Sequence, residues 1–246
     1  MLRHISSPLR LYVGCGCLSG LAPELTRAGC RNAVLLTKPG SAVLDTDTRL
    51  SLFDPKTRPR AIFLDDVCLD SAPPDVTCRA AANTLASAVE GLMAAEDPIA
   101  EGMLLQSLRL LGPGAGRRDL ALAALLCAQG TDHTGLGLAT GLSHALSVIC
   151  GVDGGTAKAI VLPHVLPLVP AAGRARLAGL WACEDAALPS RLAEALATFE
   201  PARRLREVGV AAADLPAVAG ACGDDWFVRS AAISPERIEA VLRAAW

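Results

Sequence analysis

The chain has 246 residues, 52% of them hydrophobic, so it is long enough to bury a sizeable core in one large domain or two smaller ones. Its 23 basic and 25 acidic residues are spread along the sequence and leave a net charge of -2, which gives no electrostatic footprint for nucleic acid or an anionic membrane. Mean hydropathy is positive, yet charge, proline or glycine interrupts every apolar stretch well short of the roughly 20 residues that a spanning helix needs.

The basic opening MLRHISSPLR precedes an apolar run too short for a signal-peptide core. Nine cysteines, with only Cys15 and Cys17 close together, show no disulfide framework. A soluble, cytoplasmic protein with reduced thiols is expected.

Leu9 to Val13 and Asn32 to Thr37 read as strands, with a helical stretch from Leu18 to Ala28, closed by Gly29, between them. Cys15-Gly16-Cys17 reads as the glycine-rich turn from strand to helix, its spacing being too tight for a zinc pair. Lys38-Pro39-Gly40 breaks the chain, after which Ala42 to Leu44 and Arg60 to Leu64 read as short strands joined by the polar loop TDTRLSLFDPKTRP. From Pro73 onward apolar residues recur at spacings of three and four in segments rich in Ala and Leu, and the rest of the chain is expected to be helical. The spacing predicts helices over Thr77–Ala95, Pro98–Leu111, Arg118–Gln129, Gly137 to about Cys150, and Ala157–Val169, the last disturbed at Pro163. A final helix has Ser234 as N-cap, Pro235 in its first position, and Ile238, Val241 and Leu242 on one face.

Three stretches together carry a family signature, and the opening of the chain adds to it. GLGLATGLSHALSVICGVDGGTAKAIVLPHVLPL, from Gly135 to Leu168, resembles the His-rich helix pair of iron-containing alcohol dehydrogenases and maleylacetate reductases. RPRAIFLDDVCLDSAPPDVTCRAAANTLASAVEGL resembles the strand and long helix on which those enzymes carry two metal-site residues. LREVGV, followed by DDWFVRSAAISPERIEAVLRAAW, is similar to the C-terminal end of maleylacetate reductases, and LYVGCGCLSGLAPELTRAGCRNAVLLT to their first strand, helix and strand. The fold this implies is α+β and predominantly α-helical. Residues 1–70 would be a remnant of an N-terminal α/β dinucleotide domain with few short strands, and residues 71–246 a helical, dehydroquinate-synthase-like domain.

The departures from the family pattern bear on chemistry. The resemblance implies two βαβ turns rich in glycine, serine and threonine that hold a nicotinamide dinucleotide, since glycine lets backbone N–H groups approach the pyrophosphate. Here the chain runs from Thr37 through KPGSAVLDTDT toward the strand at Arg60, with no such stretch. The resemblance also implies an iron or zinc site built from Asp and His side chains. At the matching places stand Asn83, Ser87, Thr140 and Gly154, and a further family His is matched by Lys158. Maleylacetate reductases can also carry Asn at the position of Asn83. Both cofactors, NAD(P) and Fe or Zn, are therefore expected to be lost.

His144 matches a family His that sits by the substrate, which makes it the leading catalytic candidate, with Thr140 four residues earlier on the same helix face. Lys158 would supply a cation for a carboxylate or enolate, and Asn83 and Ser87 would bind substrate from one face of the long helix. Each has a plainer reading: His144 as a hydrogen-bonded core or interface residue, Lys158 as a solvated surface charge, which is the commoner fate of lysine. His164 reads as a structural residue closing a helical turn. In Thr131-Asp132-His133-Thr134, a capping Asp or Thr before the next helix is favoured over an acid-base pair.

Three functions follow. The leading one is an enzyme of specialised biosynthesis that retains the family pocket but performs non-redox acid-base chemistry on a small carbonyl or acidic substrate: cyclisation, dehydration, isomerisation or carbon–carbon bond formation. The others are a divergent reductase and a non-catalytic subunit. Apolar surface left by a missing covering domain favours a homodimer in all three.

Overall fold

The computed structural model, which describes residues 9–29, 59–200 and 202–246, is organised around one helix, α3 (Pro74–Ala94). Its first position is proline, whose fixed φ suits a helix start, and its body is dense in alanine. Ala81, Ala82 and every residue from Thr84 to Leu92 are buried, so from its second turn onward α3 is enclosed nearly all round, as a central helix must be. Helices α4 (Pro98–Leu110), α5 (Arg117–Thr134), α7 (Gly154–Val165) and α8 (Ala171–Leu180) pack against it. Small residues set how closely they approach. A Cβ on Gly155 would lie 2.5 Å from the Arg79 carbonyl oxygen, and one on Gly173 2.7 Å from that of Met93.

A second group of helices leans on α7. Helix α6 (Leu138–Cys150) packs against α7 and α10 (Leu215–Gly223), while α9 (Leu188–Leu196) and α11 (Pro235–Ala245) pack against α7 from elsewhere. Asp153 starts α7 by accepting from the N–H groups of Gly155 and Thr156, and α7 then carries Pro163 without breaking before it passes into a short 3₁₀ turn, Leu166–Leu168.

Ahead of α3, strand β1 (Arg10–Val13) pairs in parallel with β2 (Ala61–Leu64), Leu11 opposite Ile62, and Tyr12 stacks on Phe63 at 4.6 Å. A turn through Gly14 and Gly16, both at positive φ, leads into α1 (Leu21–Arg27), whose Glu24 accepts from Arg10, Tyr12 and Arg27. Asp65 caps the short α2 (Asp66–Asp70). The protein is thus α+β and predominantly helical. The strands expected at Asn32–Thr37 and Ala42–Leu44, and most of the loop after them, lie outside the described residues.

Two expectations change. The helix over Arg118–Gln129 continues to Thr134, because Gly130 lies where a Cβ would meet Leu104 Cγ at 2.7 Å: packing against α4 holds the chain helical where its glycine would favour an end. Thr131 to Thr134 are consequently the last turn of α5 and not a cap for α6, whose N-cap is Gly137. No helix among the described residues is long and apolar enough to cross a membrane.

Candidate functional site

Asn83 and Ser87 lie one turn apart on α3, Thr140 and His144 one turn apart on α6, and Lys158 on α7. All five line one cleft of about 530 Å³, together with Gly154, Arg79, Ser143 and Phe227. The i, i+4 spacing on two helices, and the packing of α7 against both, bring to one place residues more than seventy positions apart in the chain.

Lys158 is buried, only 4% exposed, which corrects the expectation of a solvated surface charge. Its Nζ donates to Ser87 Oγ at 2.9 Å and lies 3.9 Å from Glu90 Oε2. Burying an ammonium alone would be costly, and this carboxylate, itself 3% exposed, is what offsets the loss of water. Glu90 also serves α6. Its Oε1 accepts from the backbone N–H of Ala139 at 2.9 Å and of Thr140 at 3.2 Å, and its Oε2 from the Thr140 hydroxyl. Orphan N–H groups at the start of α6 are therefore satisfied from another helix, where a negative charge also suits the helix dipole. The N-cap glycine leaves room for this carboxylate, since a Cβ on Gly137 would come within 3.2 Å of Glu90 Oε1.

His144 is partly buried and its Nδ1 lies 2.8 Å from Asp225 Oδ2. A carboxylate only accepts, so Nδ1 carries the proton and donates, which leaves the Nε2 lone pair as the basic position of the ring. Asp225 is fixed in turn, its Oδ1 accepting from the Phe227 N–H at 2.9 Å, and the Phe227 ring stands 6.2 Å from the imidazole. Sequence reasoning singled out neither Glu90 nor Asp225. Glu90 had a signal: it follows Asn83 and Ser87 at i+7 and i+3, the same face of an otherwise apolar helix. Asp225 had none beyond membership of the DDWF stretch.

Two of the described cysteines are buried near this cluster. Burial pushes the thiols of Cys127 and Cys222 up to about 12, with Glu90 reinforcing the effect on both and Lys158 opposing it at Cys127. His164, at the far end of α7, is held below the usual histidine range by burial and by Arg204, and faces a different cavity with Glu200 and Arg203.

The positions matched to the family metal ligands offer an amide (Asn83), two hydroxyls (Ser87, Thr140) and no side chain at Gly154, with the Lys158 ammonium donating to one of those hydroxyls. Iron and zinc take imidazole, thiolate or carboxylate ligands, and an adjacent fixed cation repels them, so this donor set does not fit either metal. No group of three or more His, Cys, Asp or Glu able to hold a metal occurs among the described residues. Most of the stretch where nucleotide-binding turns were sought lies outside them.

No family model matches the chain. It is 28% identical over 194 residues to lactaldehyde reductase of Escherichia coli K12, covering 70% of this chain and 51% of that protein. It is 26% identical over 202 residues to maleylacetate reductase 1 of Cupriavidus pinatubonensis, covering 77% and 57%. The chain thus spans about half the length of the curated relatives it matches. The crystal structure of maleylacetate reductase from Agrobacterium tumefaciens superposes with a TM-score of 0.66 at 25% identity, over 98% of this chain and 74% of that one. In sequence and in fold the chain is thus similar to iron-containing alcohol dehydrogenases and maleylacetate reductases, at modest identity and over part of their length.

Proposed function

We propose that the cleft performs non-redox acid-base chemistry on a small carbonyl or acidic substrate, with His144 as the proton-transfer group. The observation that carries this reading is the His144–Asp225 pair, which fixes the tautomer and leaves Nε2 basic beside a cleft containing a buried ammonium. A proton removed from the carbon next to a carbonyl passes to Nε2, and its electron pair moves onto the carbonyl oxygen. Lys158 Nζ, with the Ser87 hydroxyl beside it, stabilises that oxyanion, while the Thr140 hydroxyl, whose proton goes to Glu90, holds the wall of the site. Returning the proton elsewhere gives isomerisation, expelling a β-hydroxyl gives dehydration, and attack of the enolate on a second carbonyl gives cyclisation or a carbon–carbon bond. Asn83 and Ser87 orient the substrate from α3. None of these steps needs a hydride donor or a metal.

Deuterium uptake from D₂O into the α-carbon of small carbonyl acids, followed by NMR, tests the reading without knowledge of the product. Exchange is expected to fall by roughly a hundredfold or more in His144→Ala, and to be unaffected by chelators or nicotinamide nucleotides. Wild-type exchange rates in His144→Ala would remove the central claim.

The matched relatives favour a second reading, reduction of a small aldehyde or of maleylacetate with a nicotinamide nucleotide. Saturable binding of NADH or NADPH to the purified chain, read by fluorescence, followed by nucleotide oxidation with lactaldehyde or maleylacetate, would establish it in place of the first.

A further inference from the structure

We infer that the substrate of this cleft carries an apolar arm, an alkyl chain or small ring, that lies in a second cavity beside it. The inference rests on the acid-base reading for the position of the polar head, and on separate residues for the arm. A cavity of about 320 Å³ is walled by Met93, Leu138, Leu168, Val169 and Ile233 among others, and Glu90 is the one charged residue in its lining. Both Glu90 oxygens are already engaged by the start of α6, on the side of Thr140. The cavity is therefore polar in one residue's name only.

Leu136 and Phe227 line this cavity and also the cleft, so the two spaces share a wall. Leu136 stands between Gly135, at φ 74°, and Gly137, outside both flanking helices, a position from which a side chain can shift without disturbing either helix. Phe227 is held two residues from Asp225, and its ring lies tilted 6.2 Å from the imidazole. A molecule whose head is held by Lys158 and His144 thus meets, past Leu136 and Phe227, a pocket lined chiefly by apolar side chains. Apolar cavities on the order of 150 Å³ already take up benzene, so the space suffices for an arm of several carbons. Because Leu136 and Phe227 line both the cavity and the candidate active site, the cavity is assigned to a part of the same ligand.

The test is calorimetric titration of the full chain with straight-chain 2-oxo acids from pyruvate to 2-oxooctanoate. Burial of each added methylene is expected to tighten binding roughly fourfold until the cavity is full. Ala94 and Ala231 line the cavity from otherwise exposed positions, so Ala94→Phe and Ala231→Phe occupy it without entering the core. In each variant the long acids are expected to bind no more tightly than the first member of the series. Affinity independent of chain length in the wild type, or the full chain-length increments persisting in both variants, would overturn the inference while leaving the head-group reading intact. Increments that persist when Lys158→Met and His144→Ala leave every affinity unchanged would support the cavity and overturn the head-group reading. Absence of binding across the whole series would overturn both.

Discussion

Removing either member of the Lys158–Glu90 pair should cost more stability than removing both would suggest, and the size of that difference follows from the geometry. The charges are 3.9 Å apart and both side chains are at most 5% exposed. Coulomb attraction at that distance with an effective dielectric near 20 is about 4 kcal/mol, and removing one partner of a buried pair costs about 3–5 kcal/mol. Lys158→Met should sit at the low end, because Glu90 keeps the Ala139 and Thr140 N–H groups and the Thr140 hydroxyl. Glu90→Gln should sit higher, since it leaves an ammonium buried without this counter-ion. In the double variant neither charge remains, and the two costs should fall short of their sum by about 2–3 kcal/mol. Urea unfolding of the four proteins, followed by circular dichroism, measures the cycle. Additivity within about 0.5 kcal/mol would show that the two groups do not interact and that burial of Lys158 has another cause.

Asp225→Asn should lower deuterium exchange by about a hundredfold with little change in stability, because the ring loses its tautomer control but keeps a hydrogen-bond partner; unchanged exchange would remove the pair from the mechanism. Gly155→Ala should destabilise by about 1–3 kcal/mol in urea unfolding, since its Cβ would press on the Arg79 carbonyl at 2.5 Å and push α7 away from α3. Millimolar Zn²⁺ should leave the thermal midpoint unchanged, whereas occupancy of a site a hundredfold above its Kd would add about 2.7 kcal/mol; a clear upward shift would reveal a metal site in the cleft or elsewhere. The Glu24 carboxyl is held down to about 2, chiefly by Arg27 and then by Tyr12, against an ordinary 4.5. A depressed carboxyl contributes stability that is complete above 4.5 and lost as pH falls toward 2, so Glu24→Gln should flatten the acid limb of a pH-stability profile in that window. An acid limb as steep as the wild type's would refute the assignment.

Among the described residues the periodicity of Ala and Leu was enough to locate the helices of eleven residues or more, because a helix packed in a core needs an apolar repeat whatever its neighbours, whereas the shorter α8, α9 and α10 were not placed. Its ends were less legible: Gly130 stops nothing because α4 fills the space beside it, and no local pattern announces that. The cleft shows the same division. Asn83 with Ser87, and Thr140 with His144, share helix faces by spacing alone, so their meeting followed once the two helices were known to pack. Lys158 reads as a surface residue because its compensating charge is on another helix, 68 positions away by residue number. Asp225 is 81 residues from His144, and the turn that holds it, with Phe227 N–H on its second oxygen, is defined by tertiary contact. Groups that make chemistry possible here are partners of the recognisable residues, joined to them through space.

The start of α6 depends on a side chain from α3. With glycine at its N-cap and no side chain of its own to close the first turn, this helix borrows an anion from a segment almost fifty residues earlier. The turn carrying Thr140, one helical turn before His144, is consequently completed only in molecules where α3 has docked and Glu90 is in place. Local fraying, the usual route by which helix termini exchange their amide hydrogens, is closed to Ala139 and Thr140, whose exchange should require opening of the core itself. The cleft and the core then share one cooperative unit, so a destabilised variant loses molecules with a complete site and does not accumulate molecules with a loosened one.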